Sequence, residues 1–125
     1  MKIEFIRAAS SNSPVLRFFA FNSEELRRLR ETAEVLASGT QKQIELATSA
    51  HQELLNLAGV RLSAGARDIG ATEPNRDRQI TWELTPESWR DVAARIEPLL
   101  TSSSGFQWLD ESGPVSVLAS ASGKW

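Results

Sequence analysis

Phe21-Asn22-Ser23-Glu24-Glu25-Leu26 and Leu84-Thr85-Pro86-Glu87-Ser88-Trp89 decide the fold: they open two helices in the same way, 63 positions apart. Each runs from an apolar residue through an N-cap (Asn22, Thr85) to a second apolar residue inside the helix. That order is a hydrophobic staple, which predicts contact between Phe21 and Leu26 and between Leu84 and Trp89. Pro86 stands at the first helical position, where a missing N–H costs nothing. The match continues inward, with Leu26, Leu29, Ala33 and Leu36 spaced like Trp89, Val92, Ile96 and Leu99. One apolar stripe per helix must be buried against something else.

Working outward, Ile3-Glu4-Phe5, Val60 to Ala64 and Gln79 to Leu84 alternate in polarity and read as strands with one buried face. In the last of these, Ile80, Trp82 and Leu84 share a face. Carrying the same register back to the first half places Phe19 and Phe21 inside and turns Phe18 outward. Gly105 to Leu109 and Pro114 to Leu118 flank the turn-rich Asp110-Glu111-Ser112-Gly113, which predicts a hairpin. Helices are expected over about 23–37 and 86–100. Gly39 is expected to close the first, and Pro98 to kink the second or end its regular part near Glu97. The segment 43–58 is ambiguous; a short strand at 43–48, followed by a turn of helix or a loop, fits the analogy between halves.

The resulting expectation is a single α+β domain over residues 1–125, built as a pseudo-duplicated ββαβ-ββαβ(β). The half-repeats cover about 1–58 and 59–119, followed by a tail at 120–125. Two helices pack on one face of a mainly antiparallel, seven-stranded sheet. The expected core is Ile3, Phe5, Phe19, Phe21, Leu26, Leu29, Leu36, Leu62, Ile80, Trp82, Leu84, Trp89, Val92, Ile96, Trp108 and Val117.

Composition narrows the chemistry. The 125 residues are 41% apolar and 24% charged, as in soluble globular domains. No apolar run approaches the roughly 18 residues of a membrane span, and the first residues carry no signal-peptide core. The expectation is a cytoplasmic, bacterial or archaeal protein with no membrane partner. Net charge is −2, and acids interleave with the arginines, so no nucleic-acid partner is expected. Cysteine is absent and histidine occurs once, which removes disulfides, thiolate nucleophiles and the familiar zinc ligand sets. Neither a phosphate-cradling glycine motif nor a nucleophile elbow is present. No cofactor or metal is expected.

Two function classes remain. The first is a non-enzymatic protein-interaction module that uses an open sheet face to hold a partner protein or a second copy of itself. By alternation that face carries Ile6, Leu16, Phe18, Leu109 and Leu118 among polar neighbours, a patch that a partner would cover. On this reading Phe18→Glu weakens association and leaves the fold intact. The rim is the polar loop 67–78, where Arg67, Asp68, Arg76 and Arg78 stand ready for charged groups and Gly70 lets backbone approach closely. Trp125 ends a Gly-Ser tether and either folds back onto the body or anchors a partner. The second class is a small ligand-binding protein or enzyme, with a site near His51 and the same loop. His51 is the one side chain that titrates near neutrality without a large perturbation. Composition and spacing favour the first class, because no convergent catalytic set accompanies that histidine.

Overall fold

Val60 and Leu62 alternate with polar neighbours, as do Ile80, Trp82 and Leu84, and the two strands lie side by side in parallel, Leu62 opposite Trp82. Around this pair the computed structural model describes residues 1–10, 13–102 and 104–125. In chain order the described elements are β1 (Lys2–Ser10), β2 (Ser13–Phe19), α1 (Ser23–Ser38), β3 (Gln43–Leu46), β4 (Glu53–Leu55), β5 (Gly59–Ala64), β6 (Gly70–Ala71), β7 (Gln79–Leu84), α2 (Pro86–Thr101), β8 (Phe106–Asp110) and β9 (Ser116–Ser120). The α+β class is as expected, but the strands form two sheets rather than one. The first has the order β4-β1-β2-β9-β8 and the second β3-β5-β7-β6.

Each helix crosses between sheets: α1 leads from β2 in the first to β3 in the second, and α2 from β7 in the second to β8 in the first. The strand pairs that precede the helices do not repeat, because β1 and β2 are antiparallel whereas β5 and β7 are parallel. Gln43–Leu46 is the strand expected there, pairing antiparallel with β5. The stretch after it holds a second strand, β4, parallel to β1. Beyond β4 the side chain of Asn56 bonds both the N–H and the C=O of Phe5, so an amide continues the ladder where the strand stops.

Both helix starts form as the sequence implies. Asn22 and Glu25 make a reciprocal capping box, and Gly39 closes α1 in the left-handed region (φ 79°), its N–H donating to the Leu36 carbonyl. α2 does not break at Pro98 but runs to Thr101. Few residues follow the proline, so one lost hydrogen bond near the end is offset by Leu99, which is buried in the core.

Between the two sheets and under the helices lies one apolar cluster centred on Trp82. Its ring meets Trp89 of α2 at 4.7 Å and Phe18 of β2 at 6.3 Å between centroids. Its indole N–H donates to Asp110 Oδ2 at 2.9 Å, while Trp89 donates to the Ser63 carbonyl at 2.9 Å. One buried side chain thus ties together β7, β2, α2 and β8.

Three core expectations are corrected. Phe18 is 0% exposed, whereas Phe19 is half-buried; Phe21, also half-buried, packs against the core as expected. The register carried over from β7 fails because β7 runs unbroken to Leu84, whereas β2 ends at Phe19 and Ala20 adopts a left-handed conformation (φ 52°). One such residue reverses the inside–outside parity between Phe19 and Phe21. Trp108 also moves out of the core, to a half-buried position opposite Leu118. A bulge follows it: pairing skips from Trp108↔Leu118 to Asp110↔Val117, so Leu109 and Asp110 are both turned inward.

The sheets meet at a corner where Val115 bridges Ala71, its N–H donating to the Ala71 carbonyl at 3.1 Å. Gly70 (φ 81°) lies against Gly113 there, and a Cβ on Gly70 would overlap that backbone. The close approach expected of Gly70 therefore serves the chain's own hairpin.

Phe18→Glu is expected to unfold the protein. Removing a buried phenylalanine side chain alone costs about 3–5 kcal/mol, against a typical total of roughly 5–15, and an unpaired carboxylate adds to that. Far-UV circular dichroism on the variant checks this, and a folded variant would place Phe18 outside the core. Asp110→Ala leaves the Trp82 indole N–H buried without an acceptor and is expected to cost about 1–3 kcal/mol in urea unfolding.

Candidate functional site

The surface follows from that register. Leu16, Phe18 and Leu109 face the main cluster, and Leu118 is fully buried outside it, so these four do not form an open face. Leu118 does point to the outer side of its sheet, across from Trp108 and beside Arg17. Chain at 120–125 closes over this side. Arg17 donates to the Gly123 carbonyl at 2.7 Å and to Glu4, and its guanidinium stacks 3.9 Å over the Phe19 ring. Gly123 (φ 83°) is buried against that guanidinium, and a Cβ there would meet Arg17 Nη1 at 2.8 Å. The Ser120 hydroxyl donates to the Lys124 carbonyl at 2.6 Å. The tether thus folds back and sets Trp125 edge-on to Trp108 at 6.4 Å, leaving it 39% exposed.

Phe106 also meets Trp108 edge-on at 6.4 Å and is 42% exposed. Phe106, Trp108 and Trp125 therefore make an aromatic ridge along β8. That strand is the last of its sheet, so its outer edge carries backbone groups with no neighbouring strand. The Leu109 carbonyl on this stretch is covered by Arg95 of α2, which donates to it at 2.9 Å.

Beside the ridge opens a cleft of about 470 Å³ between α2, β8, the end of β7 and the loops that follow β5 and β8. Among the described residues four carboxylates line it, Asp68, Asp91, Asp110 and Glu111, against the single cation Arg95. Two of the four already have structural work. Asp110 accepts from Trp82 and from the Ser112 N–H. Asp68 accepts from the Thr85 N–H and the Ser88 hydroxyl, both at 2.8 Å. In α1 the N-cap N–H is satisfied by Glu25, but the matching position of α2 is Ser88, too short to reach back, and Asp68 supplies the missing acceptor from the preceding loop. Its carboxyl is held below the usual range by the Thr85 N–H first and then by Ser88. Asp91 and Glu111 have no hydrogen bond or ion pair among the described residues.

The other expected site residues separate. Arg67 and Asp68 stand at the end of β7 that leads into α2, while Arg76 and Arg78 stand at its beginning, where Asn75 accepts from the N–H groups of Asp77 and Gln79. A six-residue strand, roughly 20 Å long, lies between them. The three arginines thus form no common anion grip. His51 is exposed at a bend, its carbonyl accepting from the Met1 amino group, and it borders clefts lined by Arg28, Thr32 and Gln52 of α1 and its surroundings. Among the described residues, the clefts that His51 borders include neither Asp68 nor Arg67.

Comparison of the chain with protein-family models, curated proteins and solved structures found no match. Among the described residues no helix is long and apolar enough to cross a membrane, and no group of metal-ligating side chains gathers at one place.

Because the folded-state pKa of Asp68 lies below its unfolded value of about 4, its stabilisation is complete above that pH and is lost as pH falls through the folded pKa. Asp68→Asn is expected to lower the urea midpoint at pH 7, and the gap to wild type is expected to narrow as pH falls below about 4. A gap of the same size at pH 7 and pH 3 would assign the loss to something other than the carboxylate.

Proposed function

We propose that the protein is a non-enzymatic interaction module and that its binding surface is the free edge of β8 with the aromatic ridge beside it. The observation that carries this reading is the placement of Phe106 and Trp125, both more than a third exposed, edge-on against Trp108. A ridge of three aromatic rings is costly to leave in water and is the composition in which binding hot spots are enriched. Apart from the Leu109 carbonyl, which Arg95 covers, the edge of β8 pairs with no strand and offers directional backbone hydrogen bonds that an extended partner segment completes. The position of Trp125 depends on the Arg17–Gly123 contact, so the ridge is held in place rather than left on a loose tether. This surface takes over the role that alternation assigned to Leu16, Phe18, Leu109 and Leu118.

Photocrosslinking tests the reading. A benzophenone-bearing residue replaces Phe106 in one variant and Glu31, on the exposed face of α1, in another, and both are expressed in the cells of origin. A discrete adduct from position 106 and none from position 31 is the expected result, and its mass distinguishes a second copy from a different protein. Equal adducts at both positions, or none at either, would remove the β8 edge as the binding surface.

A further inference from the structure

The chemistry beside the ridge says what kind of segment fits it. Asp91 and Glu111 line the cleft next to Trp108 without partners among the described residues, and Asp110 adds buried negative charge to its floor. Arg95, the one cation of the cleft among the described residues, is already drawn to the edge, donating to the Leu109 carbonyl. A guanidinium thus occupies this strand edge within the protein's own fold.

Two readings of the occupant can be weighed against the chain itself. The described strands that end the two sheets are β4, Glu53-Leu54-Leu55; β3, Gln43-Ile44-Glu45-Leu46; β6, Gly70-Ala71; and β8 itself. None contains lysine or arginine, and β3, β4 and β8 carry acids. A second copy pairing through any of these edges would bring carboxylate to carboxylate or leave Asp91 and Glu111 unanswered. Like charges directly opposed across paired strands are unfavourable.

We infer that the occupant is an extended segment of a different protein that carries arginine or lysine. It pairs along β8 and places its basic side chain over the carboxylates of Asp91 and Glu111, against the face of Trp108. This inference rests on the β8 edge being the binding surface. Strand pairing supplies the backbone hydrogen bonds, and the carboxylates and the indole face select the cation. Charge pairing on a partly exposed rim weakens with salt, so the preference for a basic segment falls as ionic strength rises.

Two synthetic peptides separate the inference from the reading beneath it: acetyl-Thr-Val-Arg-Val-Thr-amide, and the same peptide with norleucine in place of arginine. Each is titrated into ¹⁵N-labelled protein, with amide and indole resonances followed. The arginine peptide is expected to shift the β8 amides and the Trp108 indole and to bind at least tenfold more tightly than the norleucine peptide. In Asp91→Asn/Glu111→Gln, both substitutions on exposed positions, the two peptides are expected to bind alike. Equal binding of the two peptides to wild type, no binding of either, or an undiminished arginine preference in the double variant overturns the basic segment. A photoadduct from position 106 obtained alongside any of those results leaves the β8 edge standing, and an adduct of twice the protein's own mass replaces the basic segment with a second copy.

Discussion

The hydrogen bond from Trp82 to Asp110 is the constraint around which the other packing is arranged. An indole buried to 0% exposure must find an acceptor, and the one it finds is a carboxylate on a strand of the other sheet, itself only 6% exposed. To deliver that carboxylate inward, β8 has to carry a bulge after Trp108. The same bulge that turns Leu109 and Asp110 toward the core leaves Trp108 on the outer side. Core chemistry and surface chemistry are therefore set by one irregularity in one strand. The apolar ridge is the outward consequence of satisfying a buried donor.

The second organising feature is the crossing of the helices. Since each helix leaves one sheet and delivers its next strand to the other, neither half of the chain can bury its apolar face alone. This separates what repeats from what does not. The helix starts repeat because capping is local and rewards the same few residues wherever it occurs. The strand pairing does not repeat, because β1 meets β2 across a short connection, while a longer loop carrying β6 lets β7 return parallel to β5. Even the caps diverge in detail: α1 satisfies its N-cap with its own Glu25, and α2 borrows Asp68.

The candidate site was legible only in fragments. Trp125 stood out because a large apolar ring on a Gly-Ser tether has to pack or be covered. Asp68 stood out as part of a charged loop, but a cap supplied across 17 positions leaves no local signature. Phe106, Asp91 and Glu111 carried no signal at all: an exposed strand residue and two surface acids are ordinary until the fold sets them side by side. The alternation that selected Leu16, Phe18 and Leu109 was sound as periodicity and misplaced as direction. Period two fixes which residues share a face and leaves open which face is inside.

By itself the amino-acid sequence determined the helices, their caps, the alternating strands, the hairpin and the α+β class, since each rests on interactions within a few residues. It also removed whole areas of chemistry through the residues it lacks. The tertiary structure alone decided that there are two sheets, that Phe18 rather than Phe19 is inside, and that Trp108, Phe106 and Trp125 meet beside an acidic cleft. A left-handed Ala20 and a bulge at Leu109 each reverse side-chain parity, and both are stabilised by contacts far away in the chain, Ala121 for one and Trp82 for the other. Local pattern cannot encode a reversal whose stabilising partner is more than twenty-five residues away.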